Sequence, residues 1–338
     1  MDRLLSNTRL QSERMGIYKA IAHYLCRSNP RPIILVDWSD LIERERLMLL
    51  RAAIAVEGRS VPIYEAVYTL KQYNSPRIHM CFLKELKSLL PEGCSPIVIT
   101  DAGFRGPWFK AVEALGWHWV GRIRNSIKYR LLSRKRWRYT TDLYYRANKK
   151  PAYLGPAELS HKRPYLCHLH LFKKGRSKRH TCRSVEHYRK HSSSTVFKKQ
   201  QRDPWLIATN LNPEEFSSKR IVALYGKRMQ IEECFRDLKS DKYGFGITVS
   251  RSKNVERLNL LLLIGALATL CLWWVGCHAQ RLRWHRHFQA NTVNDRNVLS
   301  VLFLATAVLR RTDYKINDTE LIESWRSFPD YVFQRNLA

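Results

Sequence analysis

Pro32-Ile33-Ile34-Leu35-Val36-Asp37 is a short apolar run that closes on a carboxylate, the pattern of a buried strand. Its counterpart, Pro96-Ile97-Val98-Ile99-Thr100, runs into Asp101. Between them, Met48–Val56 and Val61–Leu70 flank Glu57-Gly58-Arg59-Ser60, which predicts a hairpin with a glycine-containing turn. Pro76–Leu90 carries helical spacing through Ile78, Cys81, Phe82, Leu86 and Leu89. Pro107–Leu115 then reads as a helix and Trp117–Ile123 as a strand. Strand, hairpin, helix, strand, helix, strand is the order of an α/β domain. A single acid after a strand is usually a turn residue. Two of them, at the ends of two strands, sit where catalytic groups gather in α/β sheets. Asp40 reads as a loop acid or a helix cap, and no chemistry is assigned to it.

The pattern then breaks for a basic stretch. From Arg122 to Arg202 there are 24 Lys or Arg against the acids Asp142, Glu158 and Glu186, a net +21 of the chain's formal +30. Tyr129, Trp137, Tyr139, Tyr144, Tyr145, Tyr153, Tyr165 and Phe172 are interleaved with these cations. Cations mixed with flat rings suit a phosphate backbone and splayed or stacked bases. So large an excess, 59 basic against 29 acidic residues, disfavours a metabolic enzyme with small neutral substrates, because self-repulsion calls for a polyanionic partner. Disorder is excluded by ten Trp, sixteen Tyr and twelve Phe among 338 residues, and a collagen-like or low-complexity chain by the low Gly and Pro content.

After the basic stretch, Trp205–Thr209 resumes the strand pattern. A long helical segment is predicted from about Pro213, capped by Asn212, to Lys239. Wound as one helix, Tyr225, Arg228, Glu232 and Lys239 fall within an arc of about 60°. Met229 and Arg236 lie just beside that arc, and Ile231, Phe235 and Leu238 supply an apolar side. A purely structural helix keeps its charges off the buried stripe. Glu232 can ligate a metal here, with the cations gripping phosphates. Glu233 points about 100° away and reads as structural. Asp37, Asp101 and Glu232 could not all stay ionised together without a compensating charge. Mg²⁺ supplies it with oxygen ligands, and a pair of such ions suits in-line phosphoryl transfer on DNA.

Tyr225-x2-Arg228-x3-Glu232-x6-Lys239 resembles the YREK signature of bacterial DDE transposases of insertion-sequence family four. The likeness extends through Leu35-Val-Asp37-Trp-Ser-Asp40, Ser95-Pro-Ile-Val-Ile-Thr-Asp101-Ala-Gly-Phe, Pro204-Trp205-Leu-Ile-Ala-Thr-Asn and His287-Phe-Gln-Ala-Asn-Thr. It implies an RNase H-like (retroviral-integrase-like) α/β core interrupted by a basic β-rich insertion, with a helical C-terminal part. The expected division is 1–30, a remnant of an N-terminal helical DNA-binding region; 31–124, the first part of the core; 125–203, the insertion; 204–280, the second part of the core with the glutamate helix; and 281–338, the C-terminal helices. Relatives carry several dozen residues before the segment matched by Met1–Arg27, so the chain reads as a shortened relative, a mis-called start or a decayed copy. The rival expectation is a non-catalytic DNA-binding remnant that interferes with a full-length transposase.

The resemblance further implies that Asp37, Asp101 and Glu232 are catalytic and hold two Mg²⁺, with Mn²⁺ substituting. Tyr225, Arg228 and Lys239 would hold DNA near the cut, with Arg122, Arg124 and Arg236 as further DNA contacts. Trp205 would receive a flipped base and Met229 would probe the vacated stack, because a base extruded at a cost of a few kcal/mol needs a flat receptor. The reaction implied is cut-and-paste transposition through nicking, hairpin formation, hairpin opening and joining to target DNA. The partners implied are double-stranded DNA, as transposon ends and target, and a second copy in a synaptic homodimer. The expected location is bacterial cytoplasm at the nucleoid, since residues 1–32 contain no secretory signal and the eight cysteines form no regular framework.

Two features invite other readings. Cys167, His168, His170, His180, Cys182, His187 and His191 lack paired zinc-ligand spacing apart from His187-x3-His191, so phosphate contact is the expected use of the histidines. Leu258–Cys277 is long and apolar enough for a membrane span. Flanking Arg on both sides gives no orientation, and a buried core helix with no membrane is expected.

Overall fold

The computed structural model describes residues 2–42, 45–175, 203–241, 244–250, 252–290, 292–293 and 296–336. The chain is mixed α/β and divides into two units. One comprises Met1–Thr100, Ala111–Trp117 and Lys227–Ala338, the other Asp101–Lys110 and His118–Gly226.

In the first unit the strand order is β3-β2-β1-β4, formed by β1 (Ile33–Ile42), β2 (Leu47–Ala55), β3 (Ser60–Thr69) and β4 (Ile97–Thr100). The hairpin forms where expected. Ala55 pairs with Ser60, and Gly58 takes φ +67 in the turn, a conformation that glycine adopts at no steric cost. Pro62 sits opposite Ala53 at the register shift between Ala52 and Ala53, where a residue without an N–H is tolerated.

One expectation is corrected here. The first strand does not end at Asp37 but runs on to Ile42. Only its parallel pairing with β4 stops at Val36, opposite Thr100. The antiparallel partner β2 continues past that point, pairing Asp37 with Arg51 and Trp38 with Leu50, so one edge of the backbone stays hydrogen-bonded.

Helices cover this sheet. α1 (Asp2–Leu5) precedes α2 (Thr8–Cys26), which starts at Asn7, whose side chain accepts from Leu10 N at 3.0 Å. α3 (Pro76–Leu89) follows the predicted spacing, with Pro76 in its first turn and Phe82, Leu83, Leu86 and Leu89 buried. α4 (Gly106–Glu113) runs across the division between the units.

The predicted single helix from Pro213 to Lys239 is also corrected. Asn212 caps only a turn, accepting from Glu214 N at 3.0 Å, and two helices follow: α5 (Ser218–Gly226) and α6 (Met229–Lys239). The break falls after Gly226, the residue with the lowest helix propensity between Ser218 and Lys239, and Lys227 and Arg228 carbonyls accept from Gln230 and Ile231. Tyr225 therefore does not share a helix face with Glu232.

α7 (Val255–Arg281) contains the long apolar run and passes the length and hydropathy test for a membrane span, yet half of its most apolar window is buried within the fold. It packs against β3, α2, α8 (Val301–Leu309) and α9 (Asp318–Asn336). At Gly276 the approach to α8 is so close that an added Cβ would overlap the Val301 carbonyl. The end of α9 closes the unit at the strand ends. Asn336 Oδ1 accepts from Ile33 N at 2.6 Å while its amide donates to the Ala55 carbonyl. Tyr331 and Arg335 both reach Glu57 in the hairpin turn, at 2.9 and 3.0 Å.

The second unit has the order β5-β10-β9-β8-β6-β7, from β5 (His118–Ile123), β6 (Lys128–Leu131), β7 (Arg138–Tyr139), β8 (Ala152–Leu159), β9 (Tyr165–Phe172) and β10 (Trp205–Thr209). β10 pairs antiparallel with both β5 and β9. Phe109 stacks on Trp119 at 4.1 Å in its core. Of the basic stretch, residues up to 175 are described. His180, Cys182, His187 and His191 lie outside the described residues.

Candidate active site

β1 presents Asp37 on the sheet face covered by α6, and α6 presents Glu232 one turn after its start. Between the two carboxylates lies a guanidinium. Arg228 Nη1 is 3.4 Å from Asp37 Oδ2, and its Nη2 is 2.5 Å from Glu232 Oε1. Asp37 and Arg228 side chains are largely enclosed, at 12% and 15% exposure, while Glu232 is open at 41%. One cation thus bridges two carboxylates contributed by a strand and a helix. Asp37 Oδ1 also accepts from Trp38 N at 2.8 Å.

Asp101 begins the second unit. It is the residue bonded to Thr100, the register partner of Val36, so both aspartates follow directly on the last parallel pair of β1 and β4. Its Oδ1 accepts from Gly103 N at 2.7 Å, which tightens the turn after the strand. Among the described residues, no three His, Cys, Asp or Glu side chains form a ready-made metal cluster. The donor set Asp37 and Glu232 nevertheless fits a hard divalent ion, because it already holds a cation between carboxylate oxygens.

The remaining predicted residues divide between the units. In the first, Met229 is exposed, and Arg228 Nη2 also lies 3.6 Å from its sulfur. Lys239 is half-buried at the end of α6. Arg236 is exposed and pairs with Glu233 at 2.6 Å. In the second, Tyr225 is buried edge-on against half-buried Trp205, ring centroids 4.9 Å apart. Phe172 packs on Trp205 at 5.8 Å, and the Lys174 ammonium lies 5.8 Å from the indole centroid. Arg122 is buried and donates to the carbonyls of Asp203 and Pro204 at 3.0 and 3.4 Å, so it braces the chain rather than offering itself to a ligand. Burial, with Arg124 nearby, lowers its pKa. Arg124 is half-buried. Exposed cations of this unit include Arg134, Lys135, Arg136, Lys149, Lys150 and Lys162.

Sequence reading passed over three supports of the site. Arg51 and Glu65 form a buried ion pair beneath α6, and Arg59 in the hairpin turn holds Asp237 of the same helix at 2.6 Å. The third is His79. Trp38, on the opposite face of β1 from Asp37, donates its indole N–H to His79 Nε2 at 3.0 Å. Accepting that bond requires an unprotonated nitrogen, and burial lowers the His79 pKa from 6.5 to about 4. The unfolded chain therefore takes up the proton first. Stability is complete above about pH 6.5 and declines as the pH falls towards 4, by at most about 3 kcal/mol from this group. Urea melts between pH 7 and 4 are expected to show this loss, and His79→Gln to flatten it. His170, which burial also lowers to about 4, contributes to the remainder, with His168, His278 and His285, which burial lowers too. A wild-type midpoint constant across that range would contradict it.

Residues 28–269 match the transposase DDE domain, and the chain belongs to that family. Comparison with curated proteins finds no match. It is a DNA-acting transposase.

Proposed function

We propose that the protein is a cut-and-paste transposase of insertion-sequence family four, related to the transposase of composite transposon ten, with an RNase H-like core. Asp37, Asp101 and Glu232 are its catalytic carboxylates. The observation that carries this reading is the Arg228 guanidinium held between Asp37 and Glu232. Two divalent ions, Mg²⁺ or Mn²⁺, would bind the three carboxylates and supply Lewis acidity and charge neutralisation at the transferring phosphorus.

The chain's own groups do the positioning. Asp37 is fixed by the paired strand and by Trp38 N, and Glu232 by α6. A water oxygen attacks phosphorus and the 3′-oxygen leaves as the hydroxyl. That 3′-hydroxyl then attacks the opposite strand, exchanging one phosphodiester for another to form a hairpin. Arg228 and Lys239 serve the flanking phosphates once DNA is present. Trp205, with the Lys174 ammonium over its ring, is the receptor for an extruded base, a contact worth about 1–3 kcal/mol. Met229, exposed beside Arg228, enters the vacated stack. The exposed cations of the second unit track the duplex, and Arg124 and Arg236 add contacts. The division 1–30, 31–124, 125–203, 204–280 and 281–338, a synaptic homodimer and action at the bacterial nucleoid complete the proposal.

The test is incubation of the full chain with linear duplexes bearing its own element's ends. Metal-dependent nicks followed by hairpins are expected with Mg²⁺ or Mn²⁺. DNA binding without cleavage, even on a pre-nicked end, would replace the reading with that of a non-catalytic binding protein.

A further inference from the structure

In the middle of the hairpin strands, Arg51 and Glu65 are buried, their side chains 2% and 1% exposed. They are register partners, and Arg51 is also the register partner of Asp37. Directly opposed residues share a sheet face. Asp37, Arg51 and Glu65 therefore form a row across three strands, on the face against which α6 packs.

Each group in this row is tied to a different element. Arg51 Nε and Nη2 hold Glu65 Oε1 at 2.8 and 2.6 Å. Its Nη1 donates to Cys234 Sγ at 3.2 Å, and its guanidinium lies 4.7 Å from the centroid of the Phe235 ring. Cys234 and Phe235 follow Glu232 on α6 by two and three residues. The other oxygen of Glu65 accepts from Tyr18 on α2 at 3.3 Å. Two further ties run from the hairpin turn to the same helix: Val56 N to Gln230 at 2.8 Å, and Arg59 to Asp237.

Stability alone does not account for the arrangement. Dehydrating two charges is costly, and apolar side chains of the same volume commonly serve a core as well or better. What a planar fork of donors adds is direction, since it fixes the bearing of each acceptor it meets. We propose that Arg51, anchored by Glu65, is a positioning residue that sets the rotation and distance of α6, and so brings Glu232 to the ion site beside Asp37. The inference rests on the reading that Asp37 and Glu232 hold divalent ions.

The test uses the full chain and measures Mn²⁺ binding by calorimetry without DNA, alongside melting temperature, end-DNA affinity and nicking. Arg51→Met combined with Glu65→Leu removes the ion pair at similar volume. Its melting temperature is expected to fall by only a few degrees, because Tyr18 loses its acceptor, and its DNA affinity to stay near wild type, while Mn²⁺ affinity and nicking fall about ten- to a hundredfold, as for lost supports of metal ligands. Cys234→Ser keeps an acceptor for Arg51 and should bind Mn²⁺ as wild type does. Cys234→Val should bind it several-fold more weakly. A folded double variant with unchanged Mn²⁺ affinity overturns the proposal. If the double variant does not fold, equal affinities in the two Cys234 variants overturn it instead. Failure of the wild type itself to bind Mn²⁺ would remove the ion reading, and this inference with it, whatever the variants do.

Discussion

Glu232→Gln is expected to leave a folded, DNA-binding protein whose nicking rate drops on the order of a thousandfold or more. The substitution is small in shape. Glutamine keeps a carbonyl oxygen where Glu232 Oε1 now accepts from Arg228 at 2.5 Å, so the link across the site survives. It removes only a negative charge, from a side chain open enough, at 41% exposure, for the loss to cost the fold little. In the proposed mechanism ion binding depends on that charge, and so does every step that needs phosphorus activated. Single-turnover nicking of an end duplex in Mg²⁺ and in Mn²⁺, with gel-shift affinity as the folding control, measures both halves of the expectation. Glu214→Gln, in the exposed turn after Asn212, serves as the charge-matched control and should nick as wild type does. Nicking within tenfold of wild type in Glu232→Gln would remove this residue from the catalytic set.

The elements whose side chains repeat with a clean period were legible in the sequence. β4, α3 and the hairpin lie within a residue or two of their predicted bounds, because apolar runs and helical spacing report burial directly. Two boundaries were not. Trp38-Ser39-Asp40 looks like the exit from a strand, yet Leu50, Leu49 and Met48 of β2 opposite it are apolar and keep pairing, which no local pattern at 38–40 reveals. The break between α5 and α6 was hidden for another reason. A glycine inside a helix costs only about 1 kcal/mol, so Gly226 alone does not announce that the chain leaves one unit for another. The helical wheel drawn through it grouped Tyr225 with Arg228 and Glu232, whereas Tyr225 packs on Trp205. Arg51 and Glu65 did leave a trace, as lone charges within Leu47–Ala55 and Ser60–Thr69. Pairing them with each other and with Asp37 requires the register, which side-chain type does not encode.

The Arg228 bridge leads to the second large effect. A guanidinium between Asp37 and Glu232 neutralises two carboxylates that would otherwise repel, and a divalent ion would seek the same oxygens. On the proposed reading metal and arginine are alternatives for one place, and binding of the first would free the second for a phosphate. Arg228→Gln should destabilise the metal-free protein by about 1–2 kcal/mol, below the range for a fully buried pair because Glu232 remains open to water. For a chain of this size that is a fall of about 1–3 degrees in melting temperature. Adding Mn²⁺ should restore more stability to the variant than it adds to wild type, since the ion no longer has to displace a resident cation and its stabilisation scales with its affinity. End-DNA affinity should fall in the same variant, with the salt dependence of binding reduced by about one phosphate contact. Calorimetric melts in chelator and in Mn²⁺ separate these effects. Equal increments on adding Mn²⁺ to the two proteins would mean that Arg228 and the ion do not compete, and that the guanidinium braces the site whether or not metal is bound.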